Sequence, residues 1–252
     1  MSLYKQYLKE ITRGLGYLAT WMPNTLVSVG DVGEIQDGQF IRRGSLSDFD
    51  ISYDVLEDDT ESNLQYMSNG NVDVRFKLEG EAPLTDSMLT TMSAGIEVRF
   101  SAANAVVFQA KECRARTIEN QIDLKNQLLR LDGTDWQNTY IVVNQVVIAN
   151  SATFLVSNGS DSAFDITGQS AFGGDMLALA DAKANFQVAQ SKNLGLNIFA
   201  KKQLTPLFRA CRLSKPIIGK QSWKQIRRSD KEMPPKVVAV DLEDLLPPDA
   251  VT

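Results

Sequence analysis

The 252-residue chain contains no histidine, and that one absence removes whole classes of chemistry. There can be no Ser-His-Asp or Cys-His nucleophile pair, no HExxH zinc site and no histidine general base. Cysteine is scarce: Cys113 and Cys211 lie far apart and form no CxxC. Two such residues cannot hold a structural zinc, and they read as buried thiols of a reducing cytosol. No GxGxxG precedes a helix and no GxxxxGK[ST] occurs, which counts against nucleotide chemistry. No stretch approaches the roughly 18 apolar residues of a transmembrane helix. The opening MSLYKQYLKEITRGLGYL lacks the basic start and apolar run of a signal peptide. The expectation is a cytoplasmic protein that is not an enzyme and needs no cofactor or metal.

A net charge of −5 does not fit a general nucleic-acid binder. The charge is uneven, however. Between Lys201 and Lys231 ten Lys/Arg face the single acid Asp230, a local +9 that leaves −14 for the rest. A basic patch on an acidic protein points to an anionic partner or an internal charge match.

The length suits one substantial core plus a tail, with boundaries expected at 1–213 and 214–252. Residues 2–15 predict a helix. Leu3, Tyr4, Tyr7, Leu8, Ile11 and Leu15 share one face, and Lys5, Lys9 and Arg13 repeat every four residues beside it. An ordinary surface helix carries such a stripe, and so does a helix attracted to an acidic membrane. Residues 26–29 and 39–42 read as short strands around a turn at Gly30–Gly33. The seven carboxylates Asp48, Asp50, Asp54, Glu57, Asp58, Asp59 and Glu61 fail the calcium-loop spacing at Tyr53. They read as an exposed acidic strand and loop.

From Asn71 the period becomes two. Val72, Val74, Phe76 and Leu78 oppose Asp73, Arg75, Lys77 and Glu79; Ile96, Val98 and Phe100 oppose Glu97 and Arg99. Residues 105–113 extend this strand region. A helix is expected over 117–131, with Ile118, Ile122, Leu128 and Leu129 as its apolar positions, ending at Asp132-Gly133. Residues 140–157, including Val142, Val146 and Ile148, read as a central strand. Asn158-Gly159 marks a turn, and 158–180 reads as a mobile loop. Alternation returns over 182–190, where Phe186 and Val188 share a face, and continues through 194–200; 201–213 reads as a basic strand or turn. Past Ser214 the chain becomes basic and Pro/Gly-punctuated. It then carries an apolar stripe, Val237, Val238, Val240, Leu242, Leu245 and Leu246, among Asp241, Glu243 and Asp244. Such a terminal stripe docks on something.

This order resembles the pore-forming domain of gasdermins, including the compact bacterial members. The shared features are the basic amphipathic N-terminal helix, a strand leading into Gly30-Asp31-Val32, two separated pairs of amphipathic strands, and a short C-terminal segment. The pairs would be about 71–80 with 95–112 and 139–157 with 182–200, divided by a helix. The resemblance implies an α+β fold: a twisted, mainly antiparallel sheet with peripheral helices. It also implies a membrane pore-forming effector of bacterial cell death and anti-phage defence, cytoplasmic while inactive and at the inner membrane once activated. Activation would be proteolytic, by a caspase-like or other protease cutting at Arg227, Arg228, Asp241 or Asp244. That cut would remove an inhibitory tail carrying Val238, Val240, Leu242, Leu245 and Leu246. The partners implied are membrane lipids, met through Lys5, Lys9 and Arg13, the protease, and further copies forming a β-barrel. The strands expected to span carry Val72, Val74, Phe76, Leu78, Ile96, Val98, Phe100, Val142, Val146, Ile148, Phe186 and Val188. Many bacterial members bear a cysteine near the N-terminus that is thought to be lipidated. Met1-Ser2-Leu3-Tyr4 has none, so lipid-assisted activation is not expected. The alternative is a non-enzymatic binding or scaffold module of a bacterial defence or secretion assembly, with its tail docked on a partner.

Overall fold

Helix α1 (Leu3–Leu15) forms where the apolar period places it. In the computed structural model, which describes residues 3–22, 25–77, 95–168, 186–192, 194–214 and 235–241, all six expected positions of its apolar face meet the main core. Tyr7, Leu8 and Ile11 are fully buried. Covering Leu8 and Ile11 contributes about 1.5–3 kcal/mol each.

The strands that follow are β1 (Leu18–Ala19), β2 (Asp31–Gln36), β3 (Gln39–Ser45), β4 (Val55–Glu57), β5 (Ser62–Met67), β6 (Val72–Lys77), β7 (Gly95–Phe100) and β8 (Val106–Ile118). Helix α2 (Gln121–Arg130) precedes β9 (Ile141–Ser157), β10 (Ala163–Gly168), β11 (Phe186–Lys192), β12 (Leu194–Ser214) and β13 (Lys236–Ala239). Among the described residues they form two sheets, and every pairing is antiparallel. The larger has nine strands and runs through β5, β8, β9 and β12, with β2–β3 beside one end of β9, β4 on β8, and β1 and β13 on the outer edge of β12. The smaller has four, in the order β6, β7, β10, β11. The expected α+β class with a mainly antiparallel sheet is what the chain adopts. No described helix is long and apolar enough to cross a membrane.

Several local expectations give way to tertiary pairing. The turn expected at Gly30–Gly33 is the start of β2, and the hairpin turn falls at Asp37-Gly38. There φ is 49° and 75°, the two positive values that a two-residue type I′ turn requires. Residues 26–29 are not a strand, but β5, which had no strong alternation, is. Helix α2 starts at 121 rather than 117, because Val55 and Leu56 pair with Ile118 and Thr117 while the Asn120 side chain accepts from the Asp123 amide at 2.9 Å. Ile118 is thus a buried strand residue, and Ile122, expected on the apolar face, is 75% exposed; Leu128 is buried as expected, and Leu124 is buried with it. Part of the expected loop, 163–168, is β10, held between β7 and β11. The segment 201–213 is the second half of β12. That strand's register shifts between Leu204 and Leu207, which accommodates Pro206, a residue that cannot donate to a ladder.

The acids at 48, 50, 54, 57, 58, 59 and 61 are all exposed, as expected. The main core lies between α1 and the nine-stranded sheet, with the Tyr7, Phe108 and Phe154 rings at its centre. A second cluster joins α2 to β2, β9 and β12 around Trp136. A third lies in the small sheet and the adjoining ends of β8 and β9.

Candidate functional site

Four chain runs build both sheets. The run β5–β6 leads from the large sheet into the small one, β7–β8 leads back, β9–β10 leads out, and β11–β12 returns. Their order is the same in both sheets: β5, β8, β9, β12 in one and β6, β7, β10, β11 in the other. The molecule therefore contains two long antiparallel hairpins, 62–77 with 95–118 and 141–168 with 186–214, lying side by side through β8–β9 and β7–β10. The first pair matches the expected 71–80 with 95–112. In the second, 194–201 pairs with 157–151 as expected, and β11 pairs with β10 rather than with β9.

Each hairpin is creased where it passes between sheets. Ser68-Asn69-Gly70-Asn71, Ser101 to Ala105, and Asn158 to Ser162 interrupt the first three runs. Small polar residues suit such breaks because they turn easily and bond to nearby backbone. Ser157 Oγ accepts from the Ala105 amide at 2.8 Å and donates to the Ala102 carbonyl at 2.6 Å. Ser162 Oγ accepts from the Gly159 amide at 3.1 Å.

The small sheet has two unlike faces. Val72 stands opposite Phe100, and Val74 and Phe164 stand opposite Val98. These five share one apolar cluster with Val107, Leu155 and Leu194. On the other face Asp73 pairs in register with Arg99, and Arg75 with Glu97. The Arg75–Asp73 and Arg99–Glu97 ion pairs are each 2.7 Å long, and Glu97 is 2% exposed. The polar face is thus partly covered. Alternation continues into the large sheet, where Phe108 and Phe154 fall on one face and the register partners Gln109 and Thr153 on the other.

The structure brings together Val72, Val74, Val98 and Phe100 of the residues expected to span a membrane. Phe76 and Ile96 are register partners in the same sheet, and Phe186 and Val188 lie on β11 at its edge. Val142, Val146 and Ile148 are elsewhere, in the part of β9 whose residues serve the other two clusters. Leu78 lies outside the described residues.

Lys5 and Lys9 are half-buried and Arg13 is exposed, flanking an apolar face already occupied by the sheet. Arg13, Lys125 and Arg209 line a cleft of about 710 Å³ between α1, α2 and β13. Arg209 stands 4.5 Å from the centre of the Tyr17 ring. The C-terminal stripe meets the domain here. Lys236–Ala239 pairs with Ser214–Cys211, Val240 is buried in the main core, Val237 packs in the α2 cluster, and Val238 and Asp241 line the cleft. Burial holds the Cys211 thiol up at about 12 and the Cys113 thiol at about 11. Arg227, Arg228, Leu242, Asp244, Leu245 and Leu246 lie outside the described residues.

The crease was not legible as a site. Its signal was the recurrence of Ser/Asn/Gly breaks at corresponding points of neighbouring strands, visible only once the register is known. No protein-family model matches this chain, and no curated protein matches it in sequence.

Proposed function

We propose that this protein is a pore-forming effector, held inactive by its C-terminal segment, whose two creased hairpins enter a membrane as β-structure. The observation that carries this reading is the shared strand order of the two sheets. Two hairpins that already lie side by side, in one order along their whole length, need no new topology to extend as a four-stranded unit. A chain without an apolar helix can cross hydrocarbon only as closed sheet, because each unpaired backbone group there costs several kcal/mol. Spanning strands need about ten residues with one apolar and one polar face. The faces of β6 and β7 have that division, and further copies would close the barrel.

The tail reading rests on β13. It covers the outer edge of β12, places Val240 in the core and ends at the cleft that Arg13 lines. Cleavage at Arg227 or Arg228 releases β13 and everything beyond it; cleavage at Asp241 or Asp244 leaves it in place. The first pair is therefore the preferred site for an activating protease of a bacterial defence system. Acidic lipids are the partner the basic stripe of α1 suits.

The test compares the full chain with a chain ending at Arg228 on phosphatidylglycerol vesicles loaded with dye. Leakage is expected only from the shorter chain. In that background Phe76→Asp places a charge against lipid, whereas Lys77→Ala on the opposite face does not. A barrel-facing charge costs up to about 2–4 kcal/mol for Arg or Lys and less for Asp, repeated in every copy. Leakage from a Phe76→Asp protein that melts like its parent would remove β6 from the membrane. Intact vesicles with both chain lengths would favour the scaffold alternative.

A further inference from the structure

Glu10 on α1 belongs neither to the apolar face nor to the basic stripe. Its Oε2 accepts from the Tyr66 hydroxyl and, at 3.0 Å, from Ser68 Oγ, while Oε1 accepts from Gln6 Nε2 at 2.8 Å. Tyr66 is the penultimate residue of β5 and Ser68 is the first past its end, so both partners sit at the crease of the first hairpin. Burial, and then Glu10 itself, push the Tyr66 phenol above its usual range, keeping it a donor. Its ring lies so close to α1 that a Cβ on Gly14 would stand 2.2 Å from a ring carbon. Glycine is required there by approach, not by φ.

Ser68 is 4% exposed and uses both capacities of its hydroxyl. It donates to Glu10 and accepts from the Val106 amide at 2.8 Å, while its own amide donates to the Val106 carbonyl at 3.0 Å. Val106 is where β8 resumes after the crease. The adjacent Ala105 amide donates to Ser157 Oγ, and Ser157 exchanges backbone bonds of 2.9 Å with Asn104 and Ala105. Ser157 is fully buried and ends β9 at the crease of the second hairpin. One continuous path therefore runs from a helix carboxylate through Ser68 and Ala105–Val106 to Ser157, across three of the four runs.

We infer that Glu10 is a latch: it ties the seating of α1 on the sheet to the crease of both hairpins, so that lifting α1 loosens the crease at 104–106 and 157. The connection stands on this geometry; its purpose, holding the hairpins bent until α1 leaves, rests on the pore reading above. Hydrogen bonds to a carboxylate are among the stronger ones, and losing this one leaves the buried Ser68 hydroxyl to rearrange.

The experiment is amide hydrogen exchange on the full chain in water, without vesicles. In Glu10→Ala the amides of Asn104, Ala105, Val106 and Ser157 should exchange about tenfold faster, the size a lost charge-assisted bond supports. The β9 amides of residues 145–149 should not change. Glu10→Gln keeps an acceptor oxygen and should fall between parent and Ala. Lys9→Ala, its neighbour on the helix, should leave the crease alone. Ser68→Ala, which leaves the helix sequence intact, removes the next link of the path and should loosen the same amides. Unchanged crease exchange in Glu10→Ala overturns the latch, whatever Ser68→Ala does. So does equal acceleration of 145–149, which would make Glu10 a general stabiliser. Because the readout needs no membrane, absence of leakage from every variant would remove the pore reading and leave the latch standing.

Discussion

The two sheets share four chain runs, yet they are stabilised differently. In the large sheet, β9 is buried along nearly its whole length, with α1 covering one side and α2 with β2 and β12 closing another part of the core. In the small sheet the described apolar cluster is short and its opposite face is charged, with Arg75 and Asp73 about half exposed. Among the described residues the difference lies in what is layered on each sheet. A sheet end with a helix on it forms a jigsaw core. No described helix lies on the small sheet, and local opening begins where apolar contacts are fewest. A protein built this way can keep its base folded while its outer sheet rearranges.

The largest effect that could break this contrast is in the base. Phe154→Ala removes a fully buried ring packed on Tyr7 and Phe108. It should cost about 3–5 kcal/mol in urea unfolding, whereas Val74→Ala in the small sheet should cost about 1 kcal/mol. Equal losses would mean that the two sheets are one cooperative body with equal packing.

Next is the unequal burial of the charged face. Arg99→Ala removes the cation 2.7 Å from a carboxylate that is 2% exposed, and about 1–3 kcal/mol of stability should go with it. Asp73→Ala breaks a solvated pair and should change stability by less than about 1 kcal/mol. If both fall within error of the parent in the same denaturation series, Glu97 is not held by Arg99.

The smallest expected effect concerns the edge covered by the tail. With both thiols raised by burial, little thiolate exists at pH 8, and alkylation reports opening. In the chain ending at Arg228, Cys211, paired in register with Ala239, should be alkylated about tenfold faster than in the full chain. Cys113, on the internal strand β8, should not change. Peptide mass spectrometry reads both sites in one sample, and equal rates at Cys211 would show that β13 is not its cover.

The amino-acid order by itself determined the elements whose pattern is self-contained. α1 has an apolar face that needs only a surface to lie on, and β6 and β7 alternate strictly, so their pairing follows from period and proximity. Tertiary structure decided the rest. β5 and β10 have weak patterns and exist because β8, β7 and β11 offer unpaired backbone beside them. Ile118 is strand rather than helix because β4 pairs with it, and Ile122 is exposed because α2 begins four residues later and turns Leu124 and Leu128 inward. The crease, with Glu10, Ser68 and Ser157 connected across 147 positions of chain, could not be seen at all. A hydrogen-bonded path between distant residues has no periodicity to betray it; only strand register, fixed by burying one face and not the other, brings them together.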